Sequence, residues 1–168
     1  MRHIISILLQ NEAGALMRVA GLFSTRGYNI ESLSVAPTDE ATVSRLTLVT
    51  TGNDSVIQQI VSQLQKLVDV VTVDDMTRGE HFEREVALMK FQVTTRGIDP
   101  LVRLVTEVDG KVLSGALGSF VVALTHSEAE INRFIAQASQ YAELIEIVRS
   151  GALAIGQGTG VMRITAPA

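Results

Sequence analysis

The sequence contains no cysteine, which excludes disulfides, thiolate nucleophiles and cysteine-ligated zinc, and fits a reducing compartment. Aromatic residues are only 4% of the 168, so any core must be filled by Val, Ile and Leu. Hydrophobic residues at 46% and charged residues at 19% suffice for that and are unlike a disordered chain. Positive charge is not in excess: 14 Lys and Arg face 18 Asp and Glu, a net charge of -4. This argues against a broad polyanion-binding surface, because nucleic-acid affinity comes largely from basic side chains neutralising phosphates. Long apolar runs are missing too. Ile4-Ile5-Ser6-Ile7-Leu8-Leu9 is too short to span a membrane and has no small-residue cleavage site after it, so the expected setting is the cytoplasm, with no membrane partner. The length allows one ordinary domain or two small ones.

The pattern that is present reads as one plan used twice. Residues 3–10 are apolar except for Ser6 and predict a strand covered on both faces. Leu16, Val19, Ala20 and Phe23 are spaced as the stripe of a helix that Gly27 closes. Residues 30–36 and 43–51 predict a hairpin around a polar turn led by Pro37, and Asn53 or Asp54 caps a second helix carrying Ile57, Ile60 and Leu64. A strand at 68–73 completes βαββαβ. After a charged break, residues 85–93 alternate as a strand, and Asp99-Pro100 supplies a cap and a proline at the first helical position. Asp109-Gly110 stops that helix. Short strands at 112–113 and 120–124 flank a turn over 114–119, Ser127-Glu128-Ala129-Glu130 is a capping box, and 144–148 closes the second copy. The expected architecture is α+β, two ferredoxin-like βαββαβ domains at 1–76 and 84–157, a linker at 77–83 and a flexible tail at 158–168. Each sheet with both helices on one side leaves a face and an edge to cover, so self-association into a homodimer or larger oligomer is expected.

Two loops are candidate sites. At Asn11-Glu12-Ala13-Gly14 a helix begins beside a glycine, where amides without intrahelical partners and the helix dipole attract a carboxylate. Asn11 both donates and accepts, which suits either end of a zwitterionic amino acid, with Leu and Ile residues as apolar wall. Tyr28-Asn29-Ile30-Glu31 places a second amide before a strand. From the residues alone, the plainer account makes Asn11 a helix cap and Asn29 a turn residue.

A longer pattern points further. Asn11-Glu12-Ala13-Gly14-Ala15-Leu16, Arg18-Val19, Gly21-Leu22-Phe23, Arg26-Gly27-Tyr28-Asn29-Ile30-Glu31-Ser32-Leu33 and Val35-Ala36-Pro37-Thr38 closely resemble the ACT domain of the small, regulatory subunit of acetolactate synthase, also called acetohydroxyacid synthase. Ser44-Arg45, Gln63-Leu64, Lys66-Leu67-Val68-Asp69-Val70 and Glu83-Arg84-Glu85 extend the likeness to about residue 90. It is weaker beyond, where Val108-Asp109-Gly110-Lys111 stands in place of the family's Arg-Gly segment. The resemblance implies an ACT domain that binds a branched-chain amino acid, usually valine, between two paired domains. Asn11, Gly14 and Ala15 of one subunit would then hold the polar end, and Asn29 and Ile30 of the other would complete the pocket. Met17 replaces a small polar residue of the family's first helical turn. The implied chain is non-catalytic and carries no cofactor of its own. It stimulates and feedback-inhibits a large catalytic subunit bearing thiamine diphosphate, Mg and FAD, which performs the committed step towards valine, leucine and isoleucine.

Other signals are weaker. Asp74-Asp75 and the pair Glu83 and Glu85 read as solvated charge, and His3, His81 and His126 lack ligand-like spacing, so no metal site is expected. Gly156-Gln157-Gly158-Thr159-Gly160 lacks the helix and Lys-Ser/Thr of a phosphate loop. No serine, histidine and aspartate are spaced as a nucleophile and its base. Arg26, Arg45 and Arg84 offer partner contacts or plain surface charge. A nucleic-acid module shares the element order but needs aromatics on its central strands, and strands 3–10 and 43–51 have none. A small enzyme, or a stand-alone ACT-domain amino-acid sensor regulating another partner, is the remaining alternative.

Overall fold

The computed structural model describes residues 1–162. The described chain divides into two compact units, the first made of Met1–Phe82 with residues 152–162, the second of Glu83–Gly151. The first unit carries β1 (Arg2–Gln10), α1 (Ala15–Thr25), β2 (Ile30–Pro37), β3 (Val43–Thr51), α2 (Asp54–Leu64) and β4 (Val70–Asp75). Its antiparallel sheet has the order β2-β3-β1-β4. β1 is central, and every residue from His3 to Leu9 is buried. Ile5 pairs with Leu48 and Ile7 with Leu46, and this face packs on Ala15, Val19 and Phe23 of α1 and on Ile57, Ile60 and Leu64 of α2. Each of the larger side chains among these contributes about 1.5–3 kcal/mol on leaving water. The Asn53 side chain caps α2 by accepting from the Val56 amide at 3.1 Å. β4 starts two residues later than its apolar run suggests, because a turn in which the Val70 amide donates to the Leu67 carbonyl leaves Val68 83% exposed.

The opposite face of this sheet is partly covered from within the chain. Ile4 and Val49 are covered by Met76, Ala152 and Ala154 of the same chain, so part of the face is sealed without a second copy. Residues 152–157, expected in the second domain, fold with the first and form β9 (Leu153–Gly156), while β5 (His81–Val93) runs across the boundary at Phe82 and Glu83. The strand is hidden in the sequence because its small residues are buried while Leu153 and Ile155 are exposed. The last residue before the expected tail is still tied down: the Gln157 amide donates to the Glu80 carbonyl at 2.8 Å. Residues 163–168 of that expected tail lie outside the described residues. The expected linker at 77–83 shortens likewise, since β5 already begins at His81.

The second unit follows with β5, α3 (Thr95–Glu107), β6 (Lys111–Ala116), β7 (Ser119–His126), α4 (Glu128–Ala138) and β8 (Ala142–Arg149). Its sheet order is β6-β7-β5-β8 and its ladders are antiparallel. Met89, Phe91, Phe120 and Val122 meet Leu101 and Val105 of α3 and Ile131 and Phe134 of α4, with Phe91 and Phe134 edge-on at 6.3 Å between centroids. The capping box at Ser127 and Glu130 is present. α3 departs from expectation: Thr94 is its N-cap and Pro100 lies inside it. An added first turn is possible because Gly97, having no side chain, lets the backbone approach the Tyr141 carbonyl. β6 and β7 also extend through the expected turn and leave a two-residue loop, Leu117-Gly118, where Gly118 has φ 81°, a conformation glycine adopts freely.

Candidate functional site

Where β1 ends, the chain is tied to the β2–β3 turn. The Asn11 amide donates to the Thr42 carbonyl at 2.8 Å, and Asn11 Nδ2 donates to the Ala41 carbonyl at 3.0 Å. Asn11 therefore caps no helix, contrary to the plainer sequence account. The N-cap of α1 is Gly14, with φ 90° and no capping side chain. Only glycine takes that φ freely, and the turn it makes presents the first-turn amides openly. Ala15 donates to Glu12 at 3.3 Å and Arg18 to Gly14 at 3.0 Å, which leaves the Leu16 and Met17 amides without a backbone acceptor among the described residues. α1 has no acidic residue in its first turn. The helix thus begins as an uncapped, electropositive tip, three residues after Asn11 in the same loop, and such a tip can receive a small anion. Leu16 is 37% exposed and Met17 74%, an apolar rim.

Asn29 and Ile30 do not join this group within one chain. Ile30 pairs with Thr50, and Thr50 with His3, at the start of β1, whereas Asn11 follows Gln10 at its end. Seven residues of extended strand separate the two ends, roughly 24 Å at the usual rise. Asn29 is exposed, and its carbonyl accepts from Thr50 Oγ1 at 2.6 Å. The two halves are at opposite ends of the same sheet. A pocket using both needs the loop of one chain against the β2 start of another.

An ion pair next to the loop was not legible as part of a site. Arg18 Nη2 donates to Asp69 Oδ1 at 2.7 Å and Arg18 Nε to Asp69 Oδ2. The Asp69 backbone is fixed because its carbonyl accepts from the Gln10 amide at 2.8 Å. The guanidinium holds the Asp69 carboxyl below the ordinary carboxylate range, and the pair, with Glu12 nearby, raises the affinity of Arg18 for its proton. The one sequence signal was a charged residue embedded in the apolar run 67–73.

The remaining expectations resolve locally. Glu85 is buried, not solvated: it is 6% exposed and paired with Arg149, which also donates to Asn132 Oδ1 at 2.9 Å. The reading as loose surface charge fails because β5 starts early and carries Glu85 into the sheet. Arg45 donates to Ser6 Oγ at 3.0 Å and to the Ala154 carbonyl at 3.2 Å, so it supports the covered face of the first sheet. Among the described residues, no group of three or more His, Asp or Glu side chains is placed to hold a metal, and no helix is long and apolar enough to cross a membrane.

The comparisons with known proteins meet this geometry. Residues 5–72 match the family model described as AHAS small subunit-like ACT domain, so the class defined by the fold and the uncapped loop is that of ACT-domain proteins. Residues 84–158 match the model described as small subunit of acetolactate synthase. The chain is 44% identical over 163 residues to the acetolactate synthase isozyme 3 small subunit of Escherichia coli, covering 97% of this chain and all of that one. It is 35% identical to a probable acetolactate synthase small subunit of Archaeoglobus fulgidus, over 94% of this chain and 98% of the relative. The crystal structure of the acetolactate synthase small subunit from Thermotoga maritima superposes with a TM-score of 0.84 at 30% identity, covering 95% of this chain and 99% of that one. The chain belongs to the acetolactate synthase small subunit family.

Proposed function

We propose that this chain is a non-catalytic regulatory subunit, acting in the cytoplasm, that binds valine or a related branched-chain amino acid and sets the activity of a separate acetolactate synthase catalytic subunit. The observation that carries the reading is the uncapped start of α1 beside Asn11, with Asn29 and Ile30 at the far end of the same sheet. A zwitterion placed between two chains would direct its carboxylate to the Leu16 and Met17 amides across Gly14 and Ala15. Asn11 Oδ1 would accept from its ammonium, and its branched side chain would lie against Ile30 of the second chain, with Asn29 closing the rim.

Such a ligand bridges two chains and therefore favours one dimer arrangement over another. It alters the catalytic partner only in so far as the two arrangements bind that partner differently, and a coupling of about 1–3 kcal/mol is enough for feedback control. Valine and isoleucine differ by a methylene, about 1–3 kcal/mol of discrimination in a hydrophobic pocket, so the response to effectors is graded. Thiamine diphosphate, Mg and FAD belong, on this reading, to the catalytic subunit.

The test is calorimetric titration with valine, leucine and isoleucine, followed by assay of a purified catalytic subunit with and without this chain. The reading requires binding of at least one of the three, stimulation on mixing, and loss of that stimulation when the amino acid is added. Binding without any effect on the catalytic rate would favour a stand-alone sensor. No binding and no effect would refute both.

A further inference from the structure

The Arg18 guanidinium has five N–H donors, and Asp69 occupies only the edge formed by Nε and Nη2. The other terminal nitrogen, Nη1, lies 3.1 Å from where a side-chain carbon at Gly14 would sit, on the same loop as the open amides. Among the described residues, the side-chain hydrogen bonds of Arg18 run from Nε and Nη2 and none from Nη1. The two partners differ in access: the Arg18 side chain is 47% exposed and that of Asp69 only 6%. Asp69 cannot meet a solute itself. It is anchored through its own carbonyl to Gln10, and so works as a fixed stop that orients the guanidinium along Gly14. Glu12 places a negative charge near Arg18, so the loop carries both signs of charge that a zwitterion carries.

Resting on the effector-site reading above, we propose that Arg18 is a carboxylate-binding residue of this site, aimed by Asp69. The open amides and Nη1 then form three donors for one carboxylate, with charge-assisted bonding from the guanidinium. Asp69 has a second effect, because its negative charge beside the guanidinium holds affinity for the effector carboxylate below what the bare loop would give. That is the arrangement of a sensor whose ligand must also be released.

The proposal fixes the sign of two substitutions. By calorimetry on the full chain, Arg18→Gln is expected to weaken valine binding by about tenfold or more, the usual size for a lost hydrogen bond to a charged group. Asp69→Asn retains an oxygen acceptor for Arg18 but removes the opposing charge, and is expected to bind valine more tightly than the wild type. A pair that only braces the loop predicts instead that both variants bind more weakly. Should the glutamine variant fail to fold by circular dichroism, Arg18→Lys carries the comparison: it keeps the charge, loses the fork, and is expected to bind valine more weakly than the wild type. An Arg18 variant that binds as the wild type does, or an Asp69→Asn protein that binds no more tightly, overturns the proposal. A wild-type protein that binds none of the three branched-chain amino acids would instead overturn the effector reading itself.

Discussion

Gly97 sits buried in the first turn of α3, where helix propensity alone says alanine should be better by about 0.5–1 kcal/mol. The structure reverses that sign. A Cβ at this position would overlap the Tyr141 carbonyl oxygen and lie 3.1 Å from Val93 Cγ2 and 3.3 Å from the Tyr141 carbonyl carbon. The oxygen is backbone, held in the turn where the Tyr141 amide donates to Ala138 at 3.0 Å, and cannot swing away as a side chain would. Overpacking of this kind costs about 1–3 kcal/mol or more, so Gly97→Ala should be destabilising by about 2 kcal/mol net of the propensity gain. Gly21 supplies the control: it lies inside α1, and a Cβ there meets nothing within 4 Å. Gly21→Ala should therefore stabilise by about 0.5–1 kcal/mol. The chain has no tryptophan and two tyrosines, one in each unit, so urea unfolding in a Tyr28→Phe background can be followed through Tyr141 beside the substituted site. A second unit that gains stability from Gly97→Ala would refute the close-approach argument, and equal effects at both glycines would refute the contrast.

Three further outcomes follow from the same geometry. Ser127→Ala removes a capping box in which the hydroxyl accepts from Glu130 and the Glu130 carboxylate accepts from the Ser127 amide at 3.0 Å. Unfolding of the second unit should show a loss of about 1 kcal/mol. Asp69, Glu130 and Glu146 are each held below the ordinary carboxylate range, by Arg18, by the Ser127 hydroxyl and by Lys90 at 2.8 Å respectively. Groups depressed in the folded state add stability that is complete above the unfolded pKa, about 4, and lost as pH falls through the folded value. Melting temperature should accordingly fall on acidification below about pH 4–5, less steeply in Asp69→Asn; a melt unchanged or higher at pH 3 contradicts the sign. Gly14→Asp places a carboxylate where the effector's belongs, at a backbone φ that aspartate adopts poorly, and should abolish the effector response while sedimentation shows the same oligomer as the wild type.

Much of the fold was legible because its elements carry unmixed signals. The apolar run of β1, the stripe Val19 and Phe23 on α1, and the caps at Asn53 and Ser127 each specify one local structure, and the structure adopts it. What escaped was set by contacts distant in sequence. β9 buries Ala154, next to the buried Ala152, and exposes Leu153 and Ile155, so its hydrophobicity pattern points away from its packing. The early start of α3 depends on the Tyr141 carbonyl, 44 residues away in number, and Asp99-Pro100 marked the wrong turn. At the site, Gly14 and Ala15 could be placed from the join of strand to helix, but Asn11 looked like a cap until the Ala41 carbonyl was seen to take its amide. Arg18 and Asp69 were invisible as a pair, since nothing local links the first turn of α1 to the loop before β4.

The central claim is that one effector site draws Asn11 and Gly14 from one chain and Asn29 and Ile30 from another, and subunit mixing tests it most directly. Asn11→Ala and Asn29→Ala proteins are prepared separately, then unfolded together and refolded, with valine binding measured by calorimetry before and after. Each variant alone has a defect in every site, whereas a mixed dimer places both defects in one site and leaves the other intact. The account predicts that neither variant binds valine alone and that the mixed dimer binds one valine. Mixed dimers that form but still bind none, although the wild type binds, would contradict it.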